Sequence, residues 1–127
     1  MKKLFILILI SIFTLALSSC SKGYTNISNE ELVEMLDSDI DYYFIDVRTL
    51  NEYYTERIAG FDINYDYYLF EDDYSLLDKL DTSKPVVIMC NSGNRSVSAS
   101  KIFLEIGFTE VYNLKNGIEG WDGDTIG

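Results

Sequence analysis

The chemistry in this chain gathers on six consecutive residues, Cys90-Asn91-Ser92-Gly93-Asn94-Arg95. They follow an apolar run, Pro85-Val86-Val87-Ile88-Met89, and lead into a segment of helical character from Ser96. That order sets a cysteine at the tip of a strand. A tight turn through Gly93 would bring the backbone N–H groups of the loop and of the next helix's first turn onto the sulfur, where they stabilise negative charge. A thiolate is expected, and the thiolate is the nucleophilic form of cysteine. Arg95 stands where a ring-shaped loop folds back toward its start, and an arginine there could hold an anionic substrate through charge-assisted hydrogen bonds. Asn91, Ser92, Gly93, Asn94, Arg95 and Ser96 are therefore the candidate substrate cradle, with Cys90 as the candidate catalytic residue. A cysteine after a strand is, on residue type alone, a buried structural thiol. The flanking Gly93, Arg95 and Ser96 turn the reading toward function.

Other chemistries are excluded by composition. The 127 residues include no histidine, which removes Cys–His dyads, Ser–His–Asp triads and histidine zinc sites. Asp37-Ser38-Asp39-Ile40-Asp41 begins like a calcium loop, but its sixth position is Tyr42 in place of glycine and its twelfth is Arg48 in place of glutamate. Asp122-Gly123-Asp124 is too short a fragment to define a site. No metal and no cofactor is expected.

The first residues read as an export signal. Lys2 and Lys3 precede an uncharged apolar stretch from Leu4 to Leu17, then Ser18 and Ser19 before Cys20. The apolar stretch is shorter than the ~20 residues that span a bilayer. Leu17-Ser18-Ser19-Cys20 resembles a bacterial lipobox, which implies lipid on Cys20, a signal over residues 1–19, a lipid-anchored tether over 20–26 and a domain over 27–127. The expected location is extracytoplasmic, at a membrane of the bacterial cell envelope. The signal holds two of the ten basic residues and none of the twenty-one acidic ones, so the formal charge falls from −11 to −13 once it is removed. So acidic a chain is not built for nucleic acid or for anionic lipid surfaces, and only the lipid would attach it to a membrane. With Cys20 acylated, Cys90 has no partner for an intramolecular disulfide.

About a hundred residues remain to position the loop, enough for one domain with one core. Ser28-Asn29-Glu30-Glu31 matches a capping box, and Leu32, Met35 and Leu36 give the following helix an apolar stripe ending near Asp37. Tyr43-Phe44-Ile45-Asp46-Val47 is a continuous apolar run of strand length, the habit of a strand buried on both faces of a parallel sheet. A short helix is expected from Leu50 to Glu56, a turn at Ile58-Ala59-Gly60, and a brief strand within Asp62 to Tyr65. Leu76, Leu77 and Leu80 predict a second amphipathic helix stopped at Lys84-Pro85. The helix from Ser96 should run to Ile106 with Gly107 at its C-terminus, followed by a strand at Val111-Tyr112-Asn113. This alternation predicts an α/β fold. Trp121 and the Tyr- and Asp-rich stretch from Asp62 to Tyr74 read chiefly as packing, with part of that stretch lining the mouth of the site.

Phe44-Ile45-Asp46-Val47-Arg48 with Glu52-Tyr53, then Pro85 to Ser96, then Gly107-Phe108, Val111-Tyr112-Asn113-Leu114, Gly117 and Gly120-Trp121 together resemble a single-domain rhodanese. The likeness runs from about Ile27 to Trp121, with the elements in the family's order. It implies a rhodanese-like α/β fold, a central mostly parallel sheet flanked by helices on both faces. It also implies a sulfurtransferase in which Cys90 takes sulfane sulfur from a small anion such as thiosulfate, or from a persulfide, and passes it to cyanide or to a thiol, protein thiols included. Related phosphatases on this fold carry one more residue between cysteine and arginine, and the four here fit the smaller sulfur-transfer loop. The family places a salt bridge between the arginine at Arg48 and the acid four on, Glu52, and makes Asp46 a hydrogen-bonding residue at a strand end. Asp46, Arg48 and Glu52 are thus expected as structural support. Where many members have Gly-His-Ile-Pro-Gly-Ala, this chain has Glu56-Arg57-Ile58-Ala59-Gly60-Phe61, so that turn and Arg57 inherit no role. Two other readings of the loop remain, a non-catalytic binding or persulfide-carrier module and a redox-sensing thiol.

Overall fold

The computed structural model describes residues 23–127, so the signal segment and Cys20 lie outside the described residues. Five parallel strands form the central sheet: β1 (Thr25–Ile27), β2 (Tyr43–Asp46), β4 (Ile63–Asn64), β5 (Val86–Met89) and β6 (Val111–Leu114), in the order β1-β6-β5-β2-β4. Around it lie α1 (Asn29–Leu36), α2 (Leu50–Thr55), α3 (Tyr67–Phe70) and α4 (Asn94–Glu105), with 3-10 turns at Tyr74–Leu77 and Ile118–Gly120. The short strands β3 (Arg57–Ile58) and β7 (Thr125–Ile126) pair antiparallel in a separate ribbon.

β5 sits mid-sheet between β2 and β6 and is buried along its whole length, which is why its sequence is an unbroken apolar run. Because successive side chains face opposite sides, the strand feeds two cores. Val86, Ile88 and Cys90 join Ile45, Val47, Ala99, Ile102 and Phe103 on one side, and Val87 and Met89 join Ile27, Leu32, Phe61 and Leu114 on the other. At roughly 1.5–3 kcal/mol for each fully buried large apolar side chain, this two-sided burial is the main force holding the strand's end in place.

The capping box at Ser28 is formed, with Ser28 Oγ accepting from the Glu31 amide and Glu31 bonding back to the Ser28 amide. A second one, absent from the sequence reading, starts α2: Thr49 Oγ1 accepts from the Glu52 amide and Glu52 accepts from the Thr49 amide.

Two expectations are corrected. The polar stretch assigned to a tether as far as Asn26 supplies Thr25 and Asn26 to strand β1. It pairs with the outer edge of β6, anchored by buried Ile27, while its two exposed polar residues hid the strand pattern. The helix expected over Leu76, Leu77 and Leu80 is a single 3-10 turn. Asp73 takes the Ser75 amide on its side chain, Leu76 remains exposed, and only Leu77 of the turn is buried, so local side-chain bonding prevails over helix growth. The aromatic run Tyr67-Tyr68-Leu69-Phe70 is instead helical, started by Asp66 accepting from the Tyr68 amide.

Candidate active site

The C-terminal ends of parallel strands are where an α/β sheet places its ligands, and Cys90 follows the last residue of β5. The chain then turns through Gly93, whose φ of 103° lies in the left-handed region that an L side chain resists. A Cβ at Gly93 would also collide with the Lys115 carbonyl oxygen. The turn lets α4 start at Asn94, two residues before the expected Ser96, with Gly93 as its N-cap and no side chain capping its first amides. Those amides are the donors that a helix leaves open toward a sulfur or an anion.

The sulfur receives the Gly93 N–H at 3.0 Å and lies 3.3 Å from Ser96 Oγ, to which the thiol donates; once the sulfur is ionised the hydroxyl becomes the donor. Among the described residues the expected ring of amides therefore narrows to one backbone amide and one hydroxyl. Ser96 is fully buried and is steadied by Ser100, whose hydroxyl donates to the Ser96 carbonyl at 2.7 Å. Cys90 itself is 1% exposed, with apolar neighbours on its core side. The loop is fixed from below as well: Ile118 N–H donates to the Cys90 carbonyl and Glu119 N–H to the Asn91 carbonyl, each at 3.0 Å, while Asn91 Nδ2 donates to Glu119 Oε1 at 2.9 Å. Gly117 makes this possible, because a Cβ there would strike the carbonyls of Cys90 and Asn91.

Arg95 is not an open anion receptor. Its Nη1 and Nη2 donate to Glu52 Oε1 and Oε2 at 2.8 and 3.0 Å, a two-pronged pair with the side chains 18% and 31% exposed. The Tyr68 ring lies 5.5 Å from the guanidinium carbon. Thus the Tyr-rich stretch does reach the site, through α3. The hydrogen bond from Arg95 holds the Glu52 carboxyl at about 2, against burial that would raise it, with Thr49 helping to lower it. Arg95 in turn is held more firmly protonated, chiefly by its hydrogen bonds to Glu52.

The expected pairing of Arg48 with Glu52 is corrected by this arrangement. Arg48 Nη2 bonds Asp46 Oδ2 at 2.7 Å, both residues being buried, and also donates to the Glu56 carbonyl at 2.7 Å. Asp46 Oδ1 accepts from the Arg48 amide at 2.9 Å, and Asn64 Nδ2 donates to the carbonyls of both residues. Asp46 lies two residues before Arg48, and its carboxylate accepts both the Arg48 amide and the guanidinium across a local bend, while Glu52 is taken by Arg95. Asp46, Arg48 and Asn64 therefore brace the end of β2 beside the Cys90 loop. Arg57, left without an inherited role, lays its guanidinium over the Tyr53 ring at 4.9 Å.

Sequence reasoning missed Asn64 and the Glu52–Arg95 pair, and it did not single out Tyr68 within the Tyr-rich stretch. The Thr49-Leu50-Asn51-Glu52 capping pattern was the available sign that Glu52 is fixed in orientation; its reach to a residue 43 positions away had no sequence signal.

Likenesses to known proteins bear on this arrangement. The family model described as Rhodanese-like domain matches residues 28–124. The thiosulfate sulfurtransferase GlpE of Glaesserella parasuis serovar 5 is 31% identical over 99 residues, covering 77% of this chain and 86% of that protein. The putative sulfurtransferase YtwF of Bacillus subtilis is 33% identical over 100 residues, covering 78% and 91%. Among solved structures, a rhodanese-related protein from Thermoplasma volcanium superposes with a TM-score of 0.67 at 24% identity, over 81% of this chain and 98% of that one, a likeness of fold.

Proposed function

From the membership of this chain in the rhodanese-like family, to which it belongs, we propose that it is a sulfurtransferase working through a persulfide on Cys90. The observation that carries the reading is the Gly93 amide aimed at the Cys90 sulfur at 3.0 Å, within a loop that closes on an arginine. The ionised sulfur attacks the sulfane sulfur of a donor R–S−. A new S–S bond forms at Cys90, the old bond to R breaks, and R leaves with its electron pair; for thiosulfate the leaving group is sulfite. An acceptor thiolate or cyanide then attacks the terminal sulfur and Cys90 departs as thiolate. In both steps negative charge sits on Cys90 or on the sulfur attached to it, where the Gly93 N–H and the Ser96 hydroxyl donate. Names of relatives as thiosulfate sulfurtransferases support the same reaction class.

The test is the mass of the protein after exposure to thiosulfate. A gain of about 32 Da, one sulfur atom as a persulfide cap, is expected on the parent and absent from Cys90→Ser. Thiocyanate production from added cyanide should follow the same pattern. Equal output from both proteins overturns the proposal, and a parent that takes up no sulfur under donor excess points to a non-catalytic module.

The reading includes an extracytoplasmic location with lipid on Cys20, supported by Lys2, Lys3, the apolar stretch and Leu17-Ser18-Ser19-Cys20. Metabolic labelling with a fatty-acid analogue, lost in Cys20→Ala, checks it.

A further inference from the structure

Resting on the sulfurtransferase reading, we propose that Glu52 is a specificity-determining residue. By occupying the Arg95 guanidinium it obliges a dianionic sulfur donor to displace a carboxylate, and so turns the site toward monoanionic donors such as alkyl thiosulfonates and small persulfides.

The geometry is that of a site already filled. Arg95 offers its two terminal nitrogens side by side, and both carboxylate oxygens of Glu52 accept them at 2.8 and 3.0 Å. The three-oxygen head of a dianionic donor such as thiosulfate would need the same pair of donors to balance its second charge. Glu52 is not free to swing aside without cost, because Oε1 also accepts from the Thr49 amide at 3.1 Å and from Thr49 Oγ1 at 3.0 Å. Tyr68 flanks the guanidinium. With its carboxyl held at about 2, Glu52 stays charged throughout the neutral range. Arginine and glutamate therefore cancel at the very place where an anion would be received, in a chain of formal charge −11. What remains at the sulfur is the Gly93 amide and the Ser96 hydroxyl, which suit a singly charged or neutral group better than a compact dianion.

Thiosulfate and the methanethiosulfonate anion isolate the variable. Both present the same terminal sulfane sulfur. The Cys90 thiolate takes it from thiosulfate with release of sulfite dianion, and from methanethiosulfonate with release of methanesulfinate anion, leaving the same Cys90 persulfide. The donors differ by one charge, an anionic oxygen of thiosulfate standing where methanethiosulfonate has a methyl group. Glutamine at position 52 removes the carboxylate's charge and can still accept the Thr49 bonds, since Glu and Gln serve equally in a capping box.

The experiment measures kcat and KM for both donors with the parent, Glu52→Gln and Glu52→Gln/Arg95→Gln. In parallel, calorimetry titrates thiosulfate into Cys90→Ser and Cys90→Ser/Glu52→Gln, where no transfer occurs. For the parent, KM for thiosulfate should exceed that for methanethiosulfonate. Glu52→Gln should lower the thiosulfate KM, and tighten thiosulfate binding to the cysteine-free protein, by at least about tenfold, the worth of one freed charge-assisted pair. The thiosulfonate KM should move less than about threefold, and removal of Arg95 should cancel the gain. A thiosulfate KM in the parent no higher than the thiosulfonate KM overturns the proposal, and this comparison needs no variant to fold. So does an equal response of both donors, or a gain that survives Arg95→Gln. Absence of transfer from either donor in the parent is instead the failure of the sulfurtransferase reading; the calorimetry still decides the role of Glu52.

Discussion

Replacing Glu52 by glutamine should cost stability at neutral pH and cost progressively less on acidification. In the folded chain the Glu52 carboxyl is held at about 2, against an ordinary value of 4.5, first by the hydrogen bond from Arg95. Because the folded value is depressed, the stabilisation is complete above the unfolded value and is lost as pH falls from there toward 2. A displacement of this size corresponds to about 3 kcal/mol by linkage. The Glu52 side chain remains 31% exposed, so solvent screening leaves about 1–2 kcal/mol. Glutamine retains the cap, which separates loss of charge from loss of the helix start. Urea unfolding of parent and Glu52→Gln at constant ionic strength, from about pH 7 to about pH 3, reads this difference directly. The gap between the two proteins should shrink to less than half across that range. A gap independent of pH, a gap that widens in acid, or no gap at neutral pH would refute the reasoning.

Gly93→Ala forces a Cβ against the Lys115 carbonyl oxygen at a backbone φ of 103°. It should cost about 2–4 kcal/mol and abolish sulfur uptake, read by thermal unfolding and by mass. Arg48→Met strands the buried Asp46 carboxylate and the Glu56 carbonyl, and should destabilise by about 3–5 kcal/mol in denaturant, whereas the double change Asp46→Leu/Arg48→Met should recover part of that loss.

The parts legible in the sequence were those in which one short segment decides its own state. The run from Val86 to Met89 ended in Cys90 because a central parallel strand is apolar on both faces, and Ser28 with Glu31 marked a helix start by reciprocal bonding. The matching box at Thr49 and Glu52 carries the same signature, and reading it would have fixed Glu52 as a helix-start residue. What stayed hidden depends on partners distant in the chain. β1 and β7 are edge segments with exposed polar residues, and each is a strand only because β6 or β3 offers an edge to it. The choice of Arg95 for Glu52 and of Asp46 for Arg48 is likewise a matter of which groups the folded backbone brings together. Leu76, Leu77 and Leu80 misled by spacing alone, since the aspartates around them satisfy the backbone in a shorter turn.

The amides of Ile118 and Glu119 grip the carbonyls of Cys90 and Asn91 from a segment 28 residues further along the chain. The loop that carries Cys90 is consequently held by the 3-10 turn at Ile118–Gly120. A protease trimming the chain back to Asn116 would spare every residue from Cys90 to Arg95 and still unclasp the loop, leaving two carbonyls without donors and the sulfur without a fixed direction. Cleavage ahead of Gly117 is therefore expected to loosen the Cys90 loop although no residue of the loop is cut.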